Sequence, residues 1–171
     1  MGDLERQATV SVQGSLSRGE HLTLSVHRWL DRHLSPLGVW VMRRSKGRVT
    51  EAWKVNALVL TTVGRRSGRD RRVVLQYFPD GDAMIVVAAN DGGETYPGWY
   101  FNLTARPDAS VEVNGQRVPV QAAELEHEEA AHWWNRILAA APAYERYRRA
   151  TTRPFPILRL LPTEATRTAA A

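Results

Sequence analysis

The chain has 171 residues, of which 43% are hydrophobic and 24% charged, a balance that suits one globular domain and excludes a disordered or collagen-like chain. It contains no cysteine, so disulfides, thiolate nucleophiles and cysteine-ligated metals are excluded, and a cytoplasmic location is expected. The net charge is +5 and is carried almost entirely by arginine, which favours an anionic partner such as an acidic cofactor, nucleic acid or a membrane surface.

The first part of the chain combines a polar arm with one helical pattern. Residues 1–19 are polar and have no sustained period, which predicts a mobile arm. Across 20–43, apolar residues recur at helical spacing among basic ones, which predicts an amphipathic helix broken near Pro36. Its tryptophans and arginines are typical of a helix in peripheral contact with an anionic membrane; packing on the domain is the alternative. No signal peptide is evident, and no apolar stretch here reaches the roughly 20 residues that span a bilayer.

The rest of the chain alternates short strands with a few helices. Strands are predicted at 57–63, 72–78, 83–89, 111–114, 117–125 and 155–161. Asn114-Gly115 predicts a hairpin, and the turn at 79–82 predicts that strand 72–78 pairs with strand 83–89. Helices are predicted at 97–106, 126–140 and 142–150. Hairpins dominate and no βαβ series occurs, so the fold class is α+β around a small antiparallel barrel.

The densest charge lies at residues 64–72, here called the arginine loop, which contains five arginines and one aspartate. Gly64 and Gly68 let the backbone approach a ligand closely, and the Ser67 hydroxyl and the guanidinium groups supply donors for phosphate or carboxylate. A solvated basic hairpin and a non-specific nucleic-acid contact are the alternatives on chemistry alone.

Two aromatic segments are further candidates. The loop at 90–97 leads from a strand end into a helix that carries Trp99, where core packing is the more common role of such aromatics. Tyr144 and Tyr147 are three residues apart, so a helix places both phenols on one face, where they could line a pocket or supply a proton. Ordinary amphipathic packing explains that pair equally well.

Other chemistries have no support in the sequence. The dinucleotide, P-loop and serine-hydrolase motifs GxGxxG, GxxxxGK[ST] and GxSxG are absent. His127 and His132 do not have the HExxH spacing of a zinc helix, so no metal site is predicted.

The motifs, in their order, resemble the deazaflavin-dependent nitroreductase family, split-barrel oxidoreductases that use coenzyme F420. The resemblance covers about residues 58–161 and includes the run TTVGRRSG at 61–68, the Gly92-Gly93 pair and Tyr144-x-x-Tyr147. It implies a flavin-reductase-like split antiparallel β-barrel at 20–163, with flanking helices and an N-terminal amphipathic helix at 20–43. A C-terminal tail at 164–171 would follow.

The resemblance also implies a reaction: hydride transfer from reduced F420, or alternatively FMN, to a quinone, enone, imine or nitro-type acceptor. Tyr144 and Tyr147 would be the catalytic residues, with water as the other proton source, and neither a metal nor nucleic acid would take part. A non-catalytic F420 or FMN binding protein and a basic nucleic-acid module remain the rival classes, and no oligomeric state is implied. The cofactor-binding residues implied are Thr62, Gly64, Arg65, Arg66, Ser67, Gly68, Arg71, Ala88, Ala89, Asn90, Gly92, Gly93, Trp99 and Asn102.

One departure from the family pattern concerns the strand end. Many members have Ser-Lys where this chain has Ala89-Asn90. The change removes a hydroxyl beside the reacting ring and a positive contact to the cofactor. We expect cofactor binding to survive it and the acceptor preference to differ.

Overall fold

The computed structural model describes residues 39–40, 44 and 56–163, and the last of these ranges contains one seven-stranded antiparallel sheet with flanking helices. The strands are β1 Ala57–Val63, β2 Asp70–Gln76, β3 Phe78–Asp80, β4 Ala83–Val87, β5 Asp108–Val113, β6 Gln116–Glu124 and β7 Ile157–Pro162. The helices are α1 Gly98–Ala105, α2 His127–Ala140 and α3 Ala143–Ala150, and a short 3-10 turn spans Asn90–Gly92. The strand order is β2-β1-β5-β6-β7-β4-β3, so the predicted α+β antiparallel class is confirmed.

The strand predicted at 72–78 is wrong as one element, because it is divided at Tyr77 into β2 and β3. β2 pairs with β1, and β3 pairs with β4, so the turn at 79–82 joins β3 rather than β2 to β4. These two strands are the opposite edges of the sheet, yet one residue separates them. Residues two apart are at most about 7 Å from each other, so the sheet must curl until its edges meet.

Two apolar clusters pack on the two faces of this curled sheet. On β4, Met84 and Val86 belong to one cluster and Ile85 and Val87 to the other, as expected for a strand buried on both faces. Helix α1 adds Trp99 and Leu103 to the first cluster, and α2 adds Trp133 and Ile137 to the second. Each helix thus uses residues four apart, which lie on one helical face.

Local turn chemistry explains the hairpin between β5 and β6. Asn114 and Gly115 both have positive φ, 51° and 80°, which is the backbone of a type I′ turn. The predicted hairpin is therefore confirmed, although its first strand begins at Asp108 rather than at residue 111. The other element ends differ from prediction by at most two residues, β4 ending at Val87 and β7 beginning at Ile157.

The predictions for the two ends of the chain lie mostly outside the described residues. These are the arm at 1–19, most of the helix at 20–43 and the tail at 164–171. Val39 and Trp40 are helical, with Val39 buried and Trp40 60% exposed. Within the described part of the chain, no helix has the length and apolarity to cross a membrane.

Candidate functional site

The arginine loop closes the hairpin between β1 and β2. The Gly64 amide donates to the Arg69 carbonyl at 2.8 Å, and the Gly68 amide donates to the Gly64 carbonyl at 2.8 Å. Gly68 has a φ of +65°, a conformation that favours glycine. A Cβ at Gly64 would come within 2.7 Å of Ser67 Oγ and 3.1 Å of the Arg69 oxygen. The two glycines are therefore required by the tight form of the loop.

The side chains of this loop project positive charge into solvent. Arg65, Arg66, Arg69 and Arg71 are all exposed, and no carboxylate among the residues the structure describes pairs with them. Ser67 Oγ accepts long hydrogen bonds from the Arg69 amide and from Arg71 Nη2, at 3.4 and 3.5 Å. Such a set of guanidinium groups without internal counter-charges suits an external polyanion.

The base of the loop is held by a buried amide on α1. Asn102 Nδ2 donates to Thr62 Oγ1 at 3.0 Å, and Asn102 Oδ1 accepts from the Arg65 amide at 3.1 Å. Asn102 is 7% exposed and Thr62 is 2% exposed. Their polar groups thus bond to each other and to the loop backbone inside the protein. The Arg65 guanidinium also lies over the Phe101 ring of the same helix, 4.4 Å from its centre.

Residues 88–93, which follow directly after β4 and include five of the predicted cofactor-binding residues, are here called the strand-end segment. Asn90, Asp91 and Gly92 have φ values of 49°, 50° and 72°, so three consecutive residues are left-handed. This is uncommon for residues other than glycine and is typical of functional loops. Asn90 Nδ2 donates to the Thr95 carbonyl at 2.9 Å, which ties the start of the turn to the residues beyond it.

Arg153 contacts the same segment and was not identified from the sequence. Its Nε donates to the Gly93 carbonyl at 3.0 Å, Nη1 to Ala88 at 3.2 Å and Nη2 to Ala89 at 2.7 Å. The guanidinium also lies 4.4 Å from the centre of the Tyr96 ring. No sequence signal marks this role, because all three acceptors are backbone carbonyls.

The tyrosines predicted on one face of α3 do share a face, since their ring centres are 5.4 Å apart. Tyr144 is 8% exposed and also contacts the rings of Phe78 and Trp134. Burial, and next to it the neighbouring Tyr147, raises the pKa of Tyr144 far above its ordinary value. Tyr147 is only half-buried. The two phenols therefore differ: one is a core residue that keeps its proton, and the other borders the surface.

Helix α3 packs directly on the strand-end segment. A Cβ at Gly92 would come within 2.7 Å of the Tyr147 carbonyl oxygen and 2.8 Å of the Ala150 Cβ. The predicted cofactor-binding residues of this segment and the helix with the predicted catalytic tyrosines are thus brought together. The arginine loop connects to them through ring contacts on α1: Arg65 over Phe101, Phe101 against Tyr96 with centres 6.0 Å apart, and Tyr96 under Arg153.

Trp99, which was predicted to contact the cofactor, lies in the core of the protein. Its side chain is buried in the cluster formed by β1, β4 and α1, in agreement with the core packing that the sequence favoured for such aromatics. In the described residues no group of three or more histidine, aspartate or glutamate side chains is placed to hold a metal.

The curled antiparallel sheet, its basic loop and its glycine-bearing strand end define a split-barrel oxidoreductase of the flavin-reductase type. Residues 36–162 match the family model of the F420H(2)-dependent quinone reductases. The chain is 32% identical over 144 residues to the F420H(2)-dependent quinone reductase Rv1261c of Mycobacterium tuberculosis, covering 79% of this chain and 97% of that protein. The chain therefore belongs to the F420H(2)-dependent quinone reductase family.

Two solved structures share the fold at comparable identity. One, described as an F420-H2 dependent reductase, is 35% identical with a TM-score of 0.56, covering 61% of this chain and 93% of that one. Another, described as a domain-swapped dimer, is 30% identical with a TM-score of 0.58, covering 84% and 99%. The family resemblance found in the sequence is confirmed. The protein is an oxidoreductase that uses reduced F420 as hydride donor and quinones as acceptors.

The described residues fit a cofactor that carries a phosphate and a chain of carboxylates. Arg65, Arg66, Arg69 and Arg71 of the loop have no acidic partner among the described residues, and a Cβ at Gly64 would crowd the tight turn of the loop backbone. Arginine forks match both phosphate and carboxylate oxygens.

Proposed function

We propose that the arginine loop, the strand-end segment and helix α3 form one active site in which reduced F420 reduces a quinone. The observation that carries this proposal is the packing of Tyr147 and Ala150 on Gly92. It puts the helix with the two phenols beside the segment proposed to seat the cofactor ring. Deazaflavin and acceptor would then share one cleft.

The arginine loop would bind the anionic tail. Arg65, Arg66 and Arg71 supply charged forks, Ser67 supplies a hydroxyl, and the loop backbone between Gly64 and Gly68 approaches the phosphate closely. Thr62 and Asn102 contribute by holding the loop, since their polar atoms already bond within the protein. Trp99 contributes by packing α1 on the sheet.

The strand-end segment would seat the ring and its linker through backbone groups. Ala88 and Ala89 anchor the start of the segment in the core, and Asn90, Gly92 and Gly93 set the path of the turn. When bound, reduced F420 supplies a hydride from C5 of its deazaflavin ring. The protein's task is to hold donor and acceptor at reacting distance and to exclude water.

Helix α3 would supply the acceptor wall and the proton. Reduction of a quinone to a hydroquinone takes one hydride and one proton, and the proton goes to a quinone oxygen. We propose the Tyr147 hydroxyl as its donor, with water as the alternative, because Tyr147 borders the surface. Tyr144 is core-packed and keeps its own proton, and its ring, which packs on that of Tyr147, would hold Tyr147 in position.

The test is anaerobic turnover with purified protein. Reduced F420 is mixed with a soluble naphthoquinone and a catalytic amount of the protein. The absorbance of oxidised F420 should then increase in proportion to the quinone consumed. Tight F420 binding without turnover would instead assign a non-catalytic carrier. Parallel titration with FMN distinguishes the two flavin-type cofactors.

We also propose a peripheral membrane contact near Trp40, which is 60% exposed beside a buried Val39. Interfacial tryptophans favour the boundary of a bilayer, where lipid quinones reside. Flotation with vesicles of mixed anionic and neutral phospholipid tests this. Trp40→Ser should reduce the bound fraction severalfold, and equal flotation of both proteins contradicts the contact.

A further inference from the structure

Arg153 bonds to the strand-end segment through three different nitrogens at once. Nε, Nη1 and Nη2 each reach a different carbonyl of that segment, belonging to Gly93, Ala88 and Ala89. Nη1 also donates to the carbonyl of Pro154 at 3.1 Å. Arginine is the side chain that can satisfy several acceptors in one plane, since its donors form a rigid fork.

The positive charge of Arg153 is not used in an ion pair. No carboxylate in the part of the chain that the structure describes pairs with it. The guanidinium instead lies between Tyr96 and Phe155, at 4.4 and 5.0 Å from the two ring centres. Burial lowers the pKa of Arg153 somewhat, but arginine remains protonated in proteins. The hydrogen bonds of Arg153 thus serve to hold the backbone of the strand-end segment in place.

The backbone that Arg153 holds lies where the sheet ends. β4 ends at Val87, the Ala88 amide still donates to the Pro156 carbonyl at 2.9 Å, and the residues that follow include three with positive φ, so beyond Ala88 the sheet ladder no longer fixes the peptide planes. The bonds from Arg153 fix the peptide units that follow Ala88 and Ala89. Because a trans peptide directs its N–H opposite to its C=O, the amides of Ala89 and Asn90 then face away from Arg153.

These two amides have no acceptor among the described residues. Ala89 is nearly fully buried and Asn90 is half-buried, and an amide N–H that no described residue pairs with needs an acceptor from elsewhere, such as a ligand or water. An acceptor atom of a bound planar ring would meet that need.

We propose that Arg153 is a positioning residue that orients the Ala89 and Asn90 amides toward the heteroatoms of the bound deazaflavin ring. This inference rests on the proposed function of the strand-end segment. It adds a role for a residue that does not itself touch the cofactor. Its effect should appear in cofactor affinity and in the mobility of the segment.

Arg159 offers a matched control on the neighbouring strand. It is also partly buried and bonds to Asp80 and Glu129, away from the strand-end segment. Arg159→Met should lower the melting temperature without changing affinity for oxidised F420, measured by fluorescence titration. Arg153→Met should weaken that affinity about tenfold or more, the equivalent of about 1.4 kcal/mol. Arg153→Lys keeps charge but lacks the fork, so it should fall between wild type and Arg153→Met.

Hydrogen exchange of the cofactor-free protein supplies an independent readout. The amides of Gly92 and Gly93, which bond within the turn, should exchange faster in Arg153→Met and Arg153→Lys than in wild type and Arg159→Met. Unchanged F420 affinity in Arg153→Met, or an equal loss in Arg159→Met, overturns the inference. Failure of wild type to bind F420 would instead overturn the proposed function. Should Arg153→Met not fold, Arg153→Lys carries both measurements.

Discussion

Gly92 lies so close to Tyr147 that a Cβ at position 92 would be 2.7 Å from the Tyr147 carbonyl oxygen. The obstacle is backbone, which cannot rotate away as a flexible side chain does. Gly92 also has a φ of +72°, which L side chains rarely adopt. Two requirements therefore coincide at one residue: the left-handed backbone of the turn and the close approach of α3.

Gly92→Ala should displace α3 and lower stability. The backbone penalty can be separated from the clash by Gly81→Ala, since Gly81 has a φ of +59° but nothing within 4 Å of its Cβ position. We expect Gly92→Ala to cost about 1–3 kcal/mol more than Gly81→Ala, the usual cost of overpacking. Urea unfolding of the two variants measures the difference. Quinone turnover should fall in Gly92→Ala alone, whereas equal behaviour of the pair would show that the approach of α3 is not critical.

Tyr147→Phe should lower quinone turnover on the order of 10²-fold if its phenol is the general acid. F420 affinity should stay near wild type, because the ring is retained and only the hydroxyl is lost. Tyr144→Phe is the matched variant on the same helix face, and its effect should be smaller because Tyr144 is buried in the aromatic cluster. Steady-state rates with several quinones check this. Full turnover by both variants would make water the proton source.

The elements that the sequence predicted well are those set by local chemistry. Asn114-Gly115 defines its turn through backbone preference alone, and the spacing of Tyr144 and Tyr147 fixes a shared helical face. The strand at 72–78 could not be divided from sequence, because its apolar pattern continues across Tyr77. The division arises from closure of the sheet, which joins two opposite edges.

The candidate site was predictable where side-chain type carries the chemistry, as in the arginine loop. It was not predictable where the partners are backbone groups or distant residues. Arg153 bonds to carbonyls 60 to 65 positions away, and Asn102 bonds to Thr62 across 40 positions. The sequence marks Asn102 only as a polar residue. The fold shows that its side-chain amide bonds to Thr62 and to the Arg65 backbone inside the protein.

Stability should depend on alkaline pH through Tyr100. The Tyr100 hydroxyl donates to Glu124 Oε2 at 2.9 Å, and burial together with that carboxylate raises the pKa of Tyr100 from 10.0 to about 12. Between these values the native state holds a proton that the unfolded state has released. Stability therefore falls as pH rises through this window. Below the window Tyr100 is protonated in both states, so its ionisation gives stability no pH dependence there.

Urea midpoints at about pH 8 and about pH 11 test this prediction, since the two conditions lie on either side of the unfolded-state pKa of tyrosine near 10. Wild type should lose more stability between them than Tyr100→Phe does. Other tyrosines with raised pKa, such as Tyr77, titrate in both proteins and cancel in the comparison. An identical loss in the two proteins would contradict the assignment.

Arg66→Ala should weaken F420 binding through loss of charge rather than loss of structure. Arg66 is exposed, has no carboxylate partner among the described residues and makes none of the bonds that close the loop, so the fold should be unaffected. The loss of affinity should be severalfold at low salt and shrink at high salt, because exposed charges are screened beyond about 10 Å at 0.1 M. It should also grow with the number of glutamates on the cofactor tail. Arg136→Ala removes the same charge at an exposed arginine of α2, a helix that packs in the other apolar cluster, and should leave the dissociation constant unchanged. Turnover at saturating cofactor should persist in both variants, since the tail is remote from the hydride. If Arg136→Ala weakens binding as much as Arg66→Ala, the attraction comes from net charge and the loop is not the tail site.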